Sequence, residues 1–177
     1  MTLLAVAVGL LAVLTALNLL ILLGVVRRLR TINASSGYNP PSEILPPVGT
    51  RVGEFTVTAV DGTSVSQADL ATGSSLVVML SPGCTPCQDT AATLAKQRDQ
   101  LPPRTFVLVR TELDEPDLQA MLATLAGVGT VATFSGGDGV EQAFGGRGYP
   151  TGILVEDGAV KAASFTYTDV LPATVPA

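Results

Sequence analysis

Histidine and tryptophan are absent from this chain of 177 residues, and cysteine occurs only twice, as Cys84 and Cys87. Each absence removes a chemistry. A structural zinc site takes four Cys or His ligands, so this pair could hold zinc only if two carboxylates or a second chain completed the set. Covalent haem attachment requires a histidine directly after the second cysteine, where Gln88 stands. No metal and no cofactor is therefore expected. Basic residues are scarce as well. Three of the ten lysines and arginines lie within the first 30 residues, which leaves seven against fifteen aspartates and glutamates, a net charge near −8. A balance of that sign argues against nucleic acid as a partner. No internal repeat or low-complexity tract interrupts the sequence.

What the chain has is a CxxC, Cys84-Thr85-Pro86-Cys87, where an apolar run gives way to a helical pattern. Ser75 to Leu80 reads as a buried strand, Ser81-Pro82-Gly83 as a breaker, and Gln88 to Leu101 as helical, so the cysteines open a helix. Unpaired N–H groups and the positive end of the helix dipole favour a thiolate at an exposed Cys84. Cys87 lies one turn further on, on the same side, where it can displace a mixed disulfide from Cys84. The spacing suits thiol-disulfide exchange. A purely structural disulfide is the alternative reading, but a loop this short restrains an unfolded chain little.

A second feature lies further along. Gly145-Gly146-Arg147-Gly148-Tyr149-Pro150-Thr151 leads from a glycine-rich loop into the apolar run Gly152-Ile153-Leu154-Val155, which closes on the turn Asp157-Gly158 and continues from Ala159 to Phe165. Proline cannot donate to a sheet, so Pro150 belongs at the first residue of its strand. Either a cis Tyr149-Pro150 bond or a trans proline starting an edge strand satisfies that condition.

The strand, the Ser-Pro-Gly-Cys-Thr-Pro-Cys run, the helix and the later Tyr-Pro-Thr together resemble the thioredoxin superfamily. Within it the chain looks most like the membrane-tethered TlpA, ResA and MauD type, and Met79-Leu80-Ser81-Pro82-Gly83-Cys84 is nearest to the MauD pattern. The resemblance spans roughly Pro47 to Phe165, with Pro150 standing 66 residues after Cys84. It implies an α/β thioredoxin-like fold, a central mixed sheet flanked by helices, with an N-terminal hairpin. It also implies Cys84 as nucleophile, Cys87 as resolving thiol, Pro150 as a cis-proline facing the disulfide, and the Tyr149 backbone as the edge that pairs with a substrate segment. Thr85 and Pro86, between the cysteines, join this substrate-facing set. Partners would be protein thiols and disulfides, with an electron donor in the membrane or in solution.

Departures from the family are specific. Gly83 replaces the usual tryptophan, and the acids found six residues before or after the first cysteine in relatives are Val78 and Thr90 here. Cys87 is left without an evident proton acceptor. Asp89 is the nearest carboxylate in sequence, though an acid in a first helical turn is more commonly a dipole partner. A peroxiredoxin-like peroxidase would carry a proline at Val77, four residues before Ser81. A Sco-type copper chaperone would need a histidine. A redox-inert scaffold with this fold is the remaining alternative.

Thr2 to Val26 contains no charge and is long enough to cross a bilayer, with Arg27-Arg28-Leu29-Arg30 directly after it. The segment lacks the basic start and small-x-small site of a cleavable signal, so an uncleaved single-pass anchor in the cell membrane is expected. Thr15, Asn18 and the Ala12/Ala16 spacing are weak helix-pairing features. The flanking arginines place the following domain inside by the positive-inside rule, whereas the resemblance implies an extracytoplasmic domain, the expectation adopted here. The expected organisation is an anchor over 1–26, a basic flank and Pro/Ser/Gly-rich solvated linker over 27–47, and the thioredoxin-like domain over 48–177.

Within that domain, Glu54 to Val60 and Thr63 to Val65 read as a hairpin around Asp61-Gly62, and Thr105 to Arg110 and Thr130 to Phe134 as strands. Asp114 is expected to cap a helix whose Leu118, Met121, Leu122 and Leu125 form a core stripe. After the last strand Pro172 leaves room for one helical turn at most, so the usual final helix is missing or very short.

Overall fold

A computed structural model describes residues 44–111 and 115–171, together with Leu11 and Thr15. The chain divides into two units, Met1–Asn39 and Pro40–Ala177, and every described residue but those two belongs to the second. Leu11 and Thr15 are helical, and the Thr15 hydroxyl donates to the Leu11 carbonyl at 3.0 Å. The expected anchor otherwise lies outside the described residues, as do the basic flank, most of the linker and the Asp114 cap. Among the described residues no helix is long and apolar enough to cross a membrane.

Seven strands form one mixed sheet in the order β2-β1-β5-β4-β3-β6-β7. They are β1 (Thr56–Ala59), β2 (Ser64–Ser66), β3 (Ser74–Leu80), β4 (Thr105–Arg110), β5 (Thr130–Phe134), β6 (Thr151–Glu156) and β7 (Ala159–Ser164). β3 pairs parallel with β4 and β4 with β5, as their helical crossovers require; the other pairings are antiparallel. β3 is buried on both sides, which is why it reads as an unbroken apolar run. Leu76, Val78 and Leu80 face one core, and Val77 and Met79 the other.

Helix α1 (Thr85–Lys96) and helix α2 (Glu115–Thr124) cover the first face. Cys87, Ala91 and Leu94, at i, i+4 and i+7, form the buried stripe of α1. The helical stretch expected to run to Leu101 stops at Lys96. Gln97 leaves helical geometry, its N–H bonds to Thr93 and Leu94, and a short 3-10 turn follows at Arg98–Gln100.

Where the final helix is expected to be missing or very short, the described residues end in the 3-10 turn Tyr167–Val170, whose Tyr167 and Val170 are buried in the same core as Cys87 and Leu94. Gly152 makes this possible. A Cβ at that position would stand 2.4 Å from the Tyr167 Cα, so only glycine lets the turn settle onto β6. Tyr167 also donates its hydroxyl to Gln97 Oε1 at 2.5 Å, tying the turn to the end of α1.

The hairpin forms as read. Asp61 Oδ1 accepts from the Thr63 N–H at 2.9 Å and its hydroxyl at 2.7 Å, and Gly62 takes the left-handed conformation (φ 86°) the turn needs. These bonds to Thr63, its hydroxyl first, hold the Asp61 carboxyl below its ordinary value. Helix α3 (Val140–Phe144) lies in what reads as loop from sequence. It packs Phe144 against Phe55 with ring centroids 5.5 Å apart.

The linker expected to run solvated to Pro47 ends earlier. Pro46 is buried, and the Ile44 carbonyl accepts the N–H groups of Arg147 at 3.1 Å and Gly148 at 2.9 Å. Beyond it, Gly49 donates to the Val160 carbonyl, Val160 to the Thr50 carbonyl, and Arg51 bridges Ala159 along β7.

Candidate active site

β3 ends at Leu80, and Ser81-Pro82-Gly83 swings the chain into α1. Gly83 carries that turn with φ 73°, a conformation that favours glycine and that a tryptophan would adopt only under strain. Cys84 is the N-cap of α1 in extended geometry, with no side-chain capping bond of its own. Its carbonyl accepts from the Cys87 and Gln88 N–H groups at 3.0 and 3.1 Å. Pro86 falls in the first turn, where a missing N–H costs the helix nothing. Both cysteines are free thiols.

The pair is asymmetric. Cys84 is half-buried whereas Cys87 is fully buried, and the Cys87 S–H donates to Cys84 Sγ at 2.7 Å. Burial first, and then the bond to Cys84, push the Cys87 thiol from its ordinary 9.0 up to about 12, against a lowering contribution from the Ser81 backbone. Among the described residues no carboxylate contributes to that shift. Asp89 is the fifth residue of α1, outside its first turn, because the helix begins at Thr85. The dipole-partner reading of Asp89 is corrected accordingly.

The register of the sheet brings the second motif to the same end of the molecule. Met79 of β3 pairs with Thr151 of β6, so the residues after β3 and those before β6 leave the sheet side by side. The Tyr149-Pro150 bond is cis. Pro86, Tyr149 and Pro150 line one cleft of about 600 Å³ together with Asp89, Thr93, Phe165 and Tyr167. Thr85 is exposed and is not among the cleft's lining residues.

Beside the cleft is a charged group that the sequence reading missed. Tyr149 donates its hydroxyl to Glu141 Oε1 at 2.7 Å, the same oxygen stands 3.3 Å from an Arg110 guanidinium nitrogen, and that guanidinium lies 6.0 Å from the Tyr149 ring centroid. Arg110 ends β4 one residue past the Val109–Leu80 pairing, which puts it at the cysteine end of the sheet. Asp117 of α2 was also missed. Its Oδ2 lies 3.7 Å from where a Cβ on Gly83 would be, so α2 brings a carboxylate to the turn in front of Cys84.

No family model matches the chain, and no curated protein matches it in sequence. Solved structures do match. The thioredoxin domain of a thiol-disulfide oxidoreductase from Bacteroides vulgatus is 21% identical, aligns over 70% of this chain and 95% of that one, and gives a TM-score of 0.56. The fold is thioredoxin-like. A thiol:disulfide interchange protein from a Bacteroides species (21% identity, 71% of this chain and 86% of that one, TM-score 0.56) has the same thioredoxin-like architecture. So does a secreted Mycobacterium tuberculosis disulfide oxidoreductase described as homologous to E. coli DsbE (18%, 70% and 87%, TM-score 0.50). In this thioredoxin-like domain the cysteine pair sits at the N-terminus of the helix that follows the central strand, and the cis-proline loop reaches the same sheet end.

Proposed function

We propose that the protein is a membrane-tethered thiol-disulfide oxidoreductase of the TlpA, ResA and MauD type that exchanges Cys84 and Cys87 with protein disulfides. The observation that carries this reading is the asymmetric thiol pair, one half-exposed at a helix N-terminus and one fully buried 2.7 Å behind it. Cys84 attacks one sulfur of a substrate disulfide as the thiolate, forming a mixed disulfide, and the departing substrate sulfur takes up a proton. Cys87 then gives up its proton and attacks the Cys84 sulfur. The Cys84–substrate bond breaks, the second substrate sulfur leaves and is protonated, and the Cys84–Cys87 disulfide remains. Two electrons pass to the substrate, and an external dithiol returns the pair to its reduced state.

The cleft beside Pro86, Tyr149 and Pro150 offers the surface on which a substrate segment would lie. The uncharged run 2–26 supports single-pass anchoring, with the domain following a basic flank and linker. An extracytoplasmic domain is the further part of the proposal, because protein disulfides form and persist there.

Insulin disulfide reduction by the full chain tests the chemistry. Turnover lost in Cys84→Ser, with a trapped mixed disulfide in Cys87→Ser, supports it; no turnover by the parent chain leaves a redox-inert scaffold instead. A membrane-impermeant thiol reagent applied to intact cells tests the orientation, and protection of Cys84 until lysis refutes the outward-facing placement.

A further inference from the structure

The loop that carries Tyr149 and Pro150 is poor in side chains of its own: Gly145, Gly146 and Gly148 make up three of the four residues before Tyr149. Glycine has the largest backbone freedom of any residue, so such a loop holds a fixed shape only if something outside it supplies the contacts. Gly145 donates to the Glu141 and Gln142 carbonyls and the Thr151 hydroxyl donates to the Gly148 carbonyl at 2.6 Å, and further contacts come from Ile44, Pro46 and Pro47, the segment that joins the domain to the residues before it. The Ile44 carbonyl accepts both the Arg147 and the Gly148 N–H. The Pro46 ring fills the space over Gly146, where a Cβ would stand 2.6 Å from Pro46 Cδ, and Pro47 Cδ lies 3.3 Å from the corresponding point on Gly145. Over Gly148, Ile44 Cγ2 and the Phe165 ring come within 2.6 and 2.8 Å of a Cβ built there. Phe165 and Tyr149 are themselves walls of the cleft.

We propose that residues 44–47 are positioning residues for protein substrates: a strap that fixes the glycine loop and, through Gly148, holds Tyr149 and Phe165 in place along the cleft. This rests on the exchange function proposed above. The two prolines restrict the strap's own backbone, so it can order the loop at a small entropic cost. A small disulfide reaches the half-exposed Cys84 without touching the loop. A protein disulfide has to lie in the cleft, so its binding depends on a loop ordered in advance.

Gly146→Ala in the full chain separates these cases, because the added methyl group meets the Pro46 ring and its backbone nitrogen, the latter at 2.8 Å, and dislodges the strap. Insulin reduction and the reaction of reduced protein with dithiodipyridine are measured on parent and variant. The expected result is a rise of about tenfold or more in KM for insulin, with kcat and the dithiodipyridine rate within about twofold of the parent, as loss of binding shared equally by ground and transition states predicts. A folded variant with unchanged KM overturns the proposal, and so does a parallel loss with both substrates, which marks the strap as a stability element only. Should Gly146→Ala lose its cooperative thermal transition, Ile44→Ala takes its place, trimming the side chain over Gly148, and the same outcomes decide. A parent chain inert toward insulin refutes the exchange function itself and the strap's role with it, a result distinct from an active parent with an equally active variant.

Discussion

Titrating the Cys84→Ser variant isolates the thiol that burial holds protonated. In the parent, Cys87 is moved from 9.0 to about 12, so at pH 9.0, where a free cysteine is half ionised, about one molecule in a thousand carries its thiolate. That difference corresponds to about 4 kcal/mol between the two protonation states. Replacing Cys84 by serine removes the thiol–thiol contact, which is the second cause, and keeps desolvation, which is the first. The midpoint is therefore expected to fall below that of the parent but to stay above the ordinary 9.0. The sign also fixes the effect on folding. The folded state binds this proton more tightly than the unfolded chain, so the associated stability is fully present below pH 9.0 and is lost as the pH climbs through about 12. Against a typical total of about 5–15 kcal/mol, the loss in the parent is expected to lower the melting temperature as the pH rises through that window. Ultraviolet thiolate absorbance of the variant reads the midpoint, and thermal melts of the parent followed by far-ultraviolet circular dichroism read the stability. A midpoint at or below 9.0 with the dichroism intact refutes the claim that burial governs this thiol.

The packing makes two further predictions. Gly152→Ala places a methyl group 2.4 Å from the Tyr167 Cα and is expected to destabilise the domain by about 1–3 kcal/mol, measured by denaturant unfolding; an unchanged midpoint would show that the turn is free to lift away. Leu94→Ala empties a fully buried position in the core that holds Cys87, at a cost of about 2–5 kcal/mol in the same assay.

Features whose physics is local were legible in the sequence. The run Ser75 to Leu80 had to be a buried strand, Asp61-Gly62 had to turn, and a CxxC after a breaker had to open a helix. Cys87 was expected to project near Cys84 on one side of that helix. Its complete burial follows from a periodicity present in the chain, since it shares a stripe with Ala91 and Leu94. Helix α3 carried a signal of the same kind in Val140, Ala143 and Phe144, but glycines at either end of so short a segment made it read as loop. Asp89 was misplaced because the helix starts at Thr85, three residues before the point where its apolar periodicity becomes visible. What could not be read were contacts between distant segments: Pro46 on Gly146, Asp117 beside Gly83, and Glu141 between Arg110 and Tyr149. Each depends on how whole elements dock, and no spacing within a single segment encodes that.

The margins of the sheet carry a practical consequence. On one side β2 is only three residues long, and on the other residues 49–52 cover the first part of β7 with backbone hydrogen bonds and the Arg51–Ala159 bridge. Open strand margins are templates for edge-to-edge aggregation, and short or covered ones deny that route. A soluble fragment cut just before residue 53 would strip the cover from β7 and expose a fresh ladder, so fragments for solution work belong upstream of Ile44.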